Sequence, residues 1–168
     1  MRFVLAAVGH PRDAAVASAI REYETRAARY WPLDVREVRE QPARNVAPTV
    51  VREREGERLL AALAPGTLIV ACDEGGRMMV SDAFADWLRR EQERGTHDVA
   101  FLVGGAYGHG ERVRRAASIL LSVAAWTLPH DVARLVLAEQ LYRAGTIVRR
   151  EPYHKGKCDG LETSGSGE

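Results

Sequence analysis

Lysine is almost absent from this chain: of 24 basic residues only Lys155 and Lys157 are lysines, and the rest are arginines. The arginines run through the whole length and the net charge is only +1, so no single basic face for nucleic acid follows from the count. Cysteine is scarce too. Cys72 and Cys158 stand alone, with no C-x-x-C and no histidine pair at ligand spacing, which excludes a disulfide framework and leaves zinc or any other metal without support. Long apolar runs are missing as well. The longest uncharged stretch, Ala116 to His130, has 15 residues including two serines and a threonine, short of the roughly 20 that span a bilayer. The six apolar residues Phe3 to Val8 are too few for a secretory signal, so no membrane partner is expected and the cytoplasm is the expected location.

What is present fits one globular domain. The chain has 168 residues, 46% hydrophobic and 28% charged, near the usual size of a unit built on one core. Residues 1–155 read as that domain, and 156–168, rich in glycine, serine and acids, as a flexible tail. Charge is uneven. From His130 to Cys158 six cations face three acids, giving that segment +3 and the remainder −2.

Periodicity gives an alternating order. Phe3 to Val8 is a continuous apolar run closed by Gly9-His10-Pro11, as for a buried parallel strand. Val16, Ile20, Tyr23, Ala27 and Tyr30 then mark one face of a helix. Leu33–Val38 is a second strand, Gln41–Pro48 a loop, and Thr49–Leu63 a helix whose charged run Arg52–Glu57 reads as a solvated face. Thr67–Cys72 is a third strand with Asp73–Gly76 as its loop, and Ser81 suits an N-cap for a helix burying Phe84, Trp87 and Leu88. Val99–Val103, a helix over Glu111–Ser118, a strand over Ile119–Val123 and a helix from Asp131 to Val148 complete the order. Such alternation predicts an α/β fold: a mostly parallel sheet with helices on both faces, and ligands beyond the carboxyl ends of the strands.

Candidate chemistry gathers at those ends. Four glycines in seven residues, Gly104 to Gly110, let backbone approach a ligand closely, yet the spacing matches neither the dinucleotide fingerprint nor the P-loop. A tight turn with no ligand is the alternative. No nucleophile elbow is present. His109, His130 and His154 are the histidines placed for proton handling, whereas His10 and His97 read as surface residues. On the last helix Glu139 and Arg143 have the spacing of an intrahelical pair, the alternative being that they face a partner or ligand.

Several spaced segments match a known pattern. Thr127-Leu128-Pro129-His130, Arg134, Leu137 to Ala144 and Pro152-Tyr153-His154-Lys155 resemble the bacterial large-subunit (23S) rRNA pseudouridine N3-methyltransferase family of the SPOUT class. Leu5–Gly9, Glu53–Leu59 and Phe101–Gly105 with Gly108 extend the similarity over residues 1–155.

The resemblance implies a C-terminal trefoil knot, a homodimer and S-adenosylmethionine as cofactor. By position it assigns the cofactor to Cys72, Gly104 and the run Val123, Ala124, Ala125, Trp126, Thr127 and Leu128. It further implies His154 with Tyr153 closing over the target base, His130 and Arg143 orienting or deprotonating it, and Arg134 and Lys155 meeting RNA phosphates. A chain this weakly basic is expected to act on rRNA within the assembled ribosome and not on naked RNA. The competing readings are a SPOUT methyltransferase of tRNA and a non-catalytic ribosome-binding module.

Overall fold

The computed structural model describes residues 1–153. His154, Lys155 and the segment 156–168, expected to be a flexible tail, lie outside the described residues.

The elements alternate as the sequence predicts: β1 (Arg2–Val8), α1 (Ala14–Ala27), β2 (Leu33–Val38), α2 (Pro48–Ala61), β3 (Leu68–Met78), α3 (Ser81–Glu93), β4 (Asp98–Val103), α4 (Glu111–Ala116), β5 (Ile119–Ser122) and α5 (His130–Val148). All strand pairings are parallel, in the order β2-β1-β4-β3-β5.

Parallel strands covered on both faces must be apolar on both, which is why β1 reads as an unbroken run. Phe3, Leu5 and Ala7 face one core, with Val99, Phe101 and Val103 of β4, and meet α1, α3 and α5 through Ala27, Phe84, Leu88, Leu137 and Leu141. The alternate residues Val4, Ala6 and Val8 face the other, with Ala71, Ala100 and Leu102, under Leu59 of α2 and Val113 of α4. Three of these six strand residues, Ala6, Ala71 and Ala100, are alanines, which leaves the bulk of this face's packing to Leu59 and Val113 from the helices and to Leu102. Phe3 stacks on Trp31 at 4.8 Å and meets Phe101 edge-on at 5.4 Å. Each of these fully buried large side chains stabilises the fold by roughly 1.5–3 kcal/mol relative to exposure. Trp31 donates its indole N–H to the carbonyl of Leu141 at 2.9 Å, so its burial leaves no donor unpaired.

Three local expectations are corrected. Asp73–Gly76 is not a loop beyond β3 but an excursion within it: Cys72 and Arg77 both register with Leu121, and the strand resumes at Arg77 and Met78. Asp73 caps this bulge by accepting from Gly75 N–H at 3.0 Å, and a Cβ on Gly76 would lie 2.6 Å from the Leu120 carbonyl, an approach only glycine permits. Ser81 is not the N-cap of α3. Val80 holds that place with no side-chain cap, and the Ser81 hydroxyl instead donates to Gln140 Oε1 at 2.8 Å, tying α3 to α5. In α2 the run Arg52–Glu57 is not wholly solvated, since Glu55 is buried.

Candidate functional site

The bulge of β3 and the carboxyl ends of β4 and β5 open into one cleft of about 750 Å³. Cys72, Gly104, Val123, Ala124, Trp126, Thr127 and Leu128, seven of the eight positions assigned to the cofactor, line it; Ala125 does not.

Each wall has a local cause. Cys72 ends the regular part of β3, and burial, reinforced by the charge of Asp73, pushes its thiol up to about 12, so it stays a neutral, small apolar surface. At the glycine turn the chain folds back so that Gly105 bridges Gly108 and Gly108 N–H bonds the Gly105 carbonyl at 3.0 Å. Gly108 sits at φ +69°, and a Cβ on Gly104 would lie 2.9 Å from the Gly108 carbonyl carbon. That cradle exists only without side chains. The loop after β5 is pinned twice: Ser122 donates to the Ala124 carbonyl and Thr127 to Glu74 Oε2, both at 2.7 Å. Trp126 is 82% exposed at the cleft, an indole left without cover in the single chain.

His130 opens α5 and lines the cleft, 3.2 Å from Asp131 through Nε2. His109 lines it too but is buried, bonded to the Leu102 carbonyl at 3.2 Å, with its pKa lowered mainly by burial. Its Nδ1 has no partner among the described residues, so the ring is a neutral acceptor in place of a cation.

Arg143 and Tyr153, also expected to be catalytic, do not line this cleft. Arg143 is bound to Glu139 through Nε at 3.0 Å and Nη2 at 2.5 Å, and its guanidinium lies 4.9 Å from the centre of the Tyr153 ring. Tyr153 donates to Glu139 at 3.2 Å and packs on Tyr142 at 4.6 Å. Burial first, then hydrogen bonding with Tyr23, raises its phenol to about 12. Arg143 stands thirteen positions after His130 on one helix, about 20 Å at the helical rise, so one chain does not bring them together.

Arg134, expected to meet RNA phosphates, points inward in the single chain. Its side chain is buried, donating from Nε to Glu24 at 2.8 Å and from Nη1 to Glu37 at 2.6 Å, so the guanidinium is already neutralised inside the protein.

Sequence reasoning placed the helix α2 but read its charged run as solvated and missed its part in the site. Glu53 accepts from Glu111 N–H at 2.6 Å, Glu55 packs against Gly105, and Gly56 makes room for Val113, so this helix braces the glycine turn and the start of α4. The signal was the glycine between Glu55 and Glu57, unusual inside a solvated helix.

The family described as predicted SPOUT methyltransferase matches residues 1–154. The chain belongs to this family. A protein of Gemmatimonas aurantiaca named ribosomal RNA large subunit methyltransferase H is 59% identical over 155 residues, covering 92% of this chain and all of the relative. Proteins of the same name from Anaeromyxobacter sp. (strain K) and Rhodospirillum centenum are 46% and 42% identical over 92% of the chain and 100% and 99% of their own lengths. Membership in the SPOUT family implies the trefoil knot; the strand order places β3, with its bulge, between β4 and β5. No helix among the described residues is long and apolar enough to cross a membrane, and no group of three or more metal-ligating side chains occurs among them.

Proposed function

We propose that this chain transfers a methyl group from S-adenosylmethionine to N3 of a pseudouridine in 23S rRNA, acting as a homodimer on the assembled ribosome in the cytoplasm. The observation that carries the reading is the convergence of Cys72, the Gly104 turn and the 123–128 loop on one cleft, in a chain whose full-length relatives are named as large-subunit rRNA methyltransferases.

The donor fits the residues present. The glycine cradle leaves backbone amides and carbonyls uncovered by side chains, Cys72, Val123 and Ala124 give small apolar surface, and the unpaired Nδ1 of His109 offers an acceptor. S-adenosylmethionine, when bound, supplies a methyl group made electrophilic by the sulfonium. The chain's own residues then have to orient a ring nitrogen and remove its proton. His130, at the cleft, is the group placed for that proton. Arg143, thirteen positions along α5 from His130, and Tyr153, beyond the end of that helix and packed on Arg143, serve the site of the second subunit, with His154 and Lys155 following them in sequence.

A near-neutral chain with Arg134 internally paired lacks the charge to hold naked RNA tightly, which favours a ribosomal substrate where shape and protein contacts add to phosphate contacts. Mass spectrometry of rRNA from cells with and without the gene tests the function. A methylated pseudouridine in 23S rRNA that disappears with the gene is expected; its persistence, or a loss confined to tRNA, overturns the reading.

A further inference from the structure

A second cleft of about 580 Å³ adjoins the first, sharing Gly105, Ala106, Tyr107 and His130 with it. Its remaining wall comes from Arg12, the 39–43 segment, Val51 and Glu55. Glu55 is only 4% exposed. Its Oε1 accepts the Gln41 N–H at 2.9 Å, while Oε2, shielded from water, has no hydrogen-bond partner among the described residues. A Cβ on Gly105 would lie 2.6 Å from Oε2, so this oxygen packs directly on the glycine turn that the two clefts share.

A buried acceptor without a donor is costly and persists where something else supplies the donor. Burial raises the Glu55 pKa, with Glu40 adding to the rise, against the Gln41 N–H, Arg58 and His130. The carboxyl group is therefore under-solvated and gains from an N–H that reaches it. The terminal torsion of a glutamate is soft, so its oxygens can reorient toward a donor that enters the cleft.

We infer that Glu55 is a specificity-determining residue, its unpaired Oε2 accepting the free N1–H of a pseudouridine ring seated in the second cleft. The inference rests on the proposed function. With N3 turned toward the first cleft, the ring's other nitrogen points away from it, into the second. In uridine that nitrogen carries the ribose and has no hydrogen. In pseudouridine the ribose is attached at carbon, and N1–H is a donor that a uridine cannot offer. A site built to receive an N–H rejects the analogue lacking it far more strongly than a site that reads shape alone.

The test compares ribosomes carrying pseudouridine at the target with ribosomes from cells lacking the responsible pseudouridine synthase, which carry uridine there. Wild-type protein is expected to prefer the first by at least ~100-fold in kcat/KM. E55Q sets an amide donor in place of one oxygen, and the preference is expected to fall below ~10-fold, the loss being on the pseudouridine substrate. S-adenosylmethionine affinity, by calorimetry, stays within about twofold. Co-sedimentation of E55Q with the two kinds of ribosome shows the same convergence without turnover. E55D, which withdraws the oxygen by one methylene, is the second variant and gives an intermediate ratio. Equal losses on both substrates, or an unchanged ratio in both variants, assign Glu55 to bracing alone and overturn the inference, as does a wild-type protein without preference. Failure of wild-type protein to methylate either ribosome overturns the proposed function itself.

Discussion

Arg134 on α5 donates to Glu24 on α1 at 2.8 Å, a hydrogen bond between side chains 110 residues apart and almost sealed from solvent. The same guanidinium reaches Glu37 at the end of β2, which also holds His10. Burial acts to raise the Glu37 pKa, but the hydrogen bonds from Arg134 and His10 outweigh it and hold the carboxyl below its usual range. The network fixes the first turns of α5, and with them His130, against the sheet.

Removing its cation is therefore expected to be costly. Arg134→Met leaves two carboxylates facing an apolar side chain, and urea unfolding at pH 7 should show a loss of about 3 kcal/mol. The pH dependence supplies a sign. A carboxyl whose folded pKa is depressed contributes stability above its unfolded pKa, and that stability is lost as pH falls through the folded value. Wild-type protein should thus lose the Glu37 contribution on acidification, and the gap between wild type and variant should narrow below about pH 4.

Gly104→Ala should separate cofactor binding from folding. The added methyl would sit 2.9 Å from the Gly108 carbonyl carbon, against backbone that cannot step aside cheaply. Calorimetry should show at least about tenfold weaker S-adenosylmethionine binding, while circular dichroism retains the α/β spectrum. Unchanged affinity would remove the turn from the cofactor site.

Cys72 should be inert. Its thiol is held up to about 12 by burial, so at pH 8 a thiol reagent acting on a Cys158→Ser protein should label native Cys72 at least about 100-fold more slowly than the unfolded chain. A raised thiol pKa favours the fold below the unfolded value near 9 and loses that contribution as pH climbs toward 12. Alkaline unfolding should accordingly be shallower in Cys72→Ala.

Mixed dimers test the shared site. If Arg143 serves the partner's cleft, Arg143→Ala and Gly104→Ala homodimers are each inactive, but random mixing regenerates one intact site in half of the dimers, about a quarter of wild-type turnover. No recovery on mixing, with heterodimers demonstrated by mass, would place Arg143 and the cofactor cleft in the service of the same chain.

Much of the architecture was legible because its signals are local. The unbroken apolar run of β1, its closure at Gly9-His10-Pro11 and the glycine cluster after β4 each state a strand, an end or a turn within a few residues. The 73–76 excursion was misread because Asp-Glu-Gly-Gly is turn chemistry in either setting; only the β5 ladder, which picks the strand up again at Arg77, distinguishes a bulge from an ending. Glu55 was misread for a similar reason. A glutamate in a charged helical run looks solvated until another element is laid over it.

The sequence by itself determined the alternating α/β order, the both-sided burial of the strands and the placement of small residues at three strand ends, since these follow from periodicity and side-chain size along the chain. Tertiary structure alone decided that Arg134 is an internal counterion and that Glu55 is left with an unpaired oxygen beside the glycine turn. The physical reason is that desolvation and charge pairing depend on distances between segments far apart in sequence, and no pattern within a single segment encodes them.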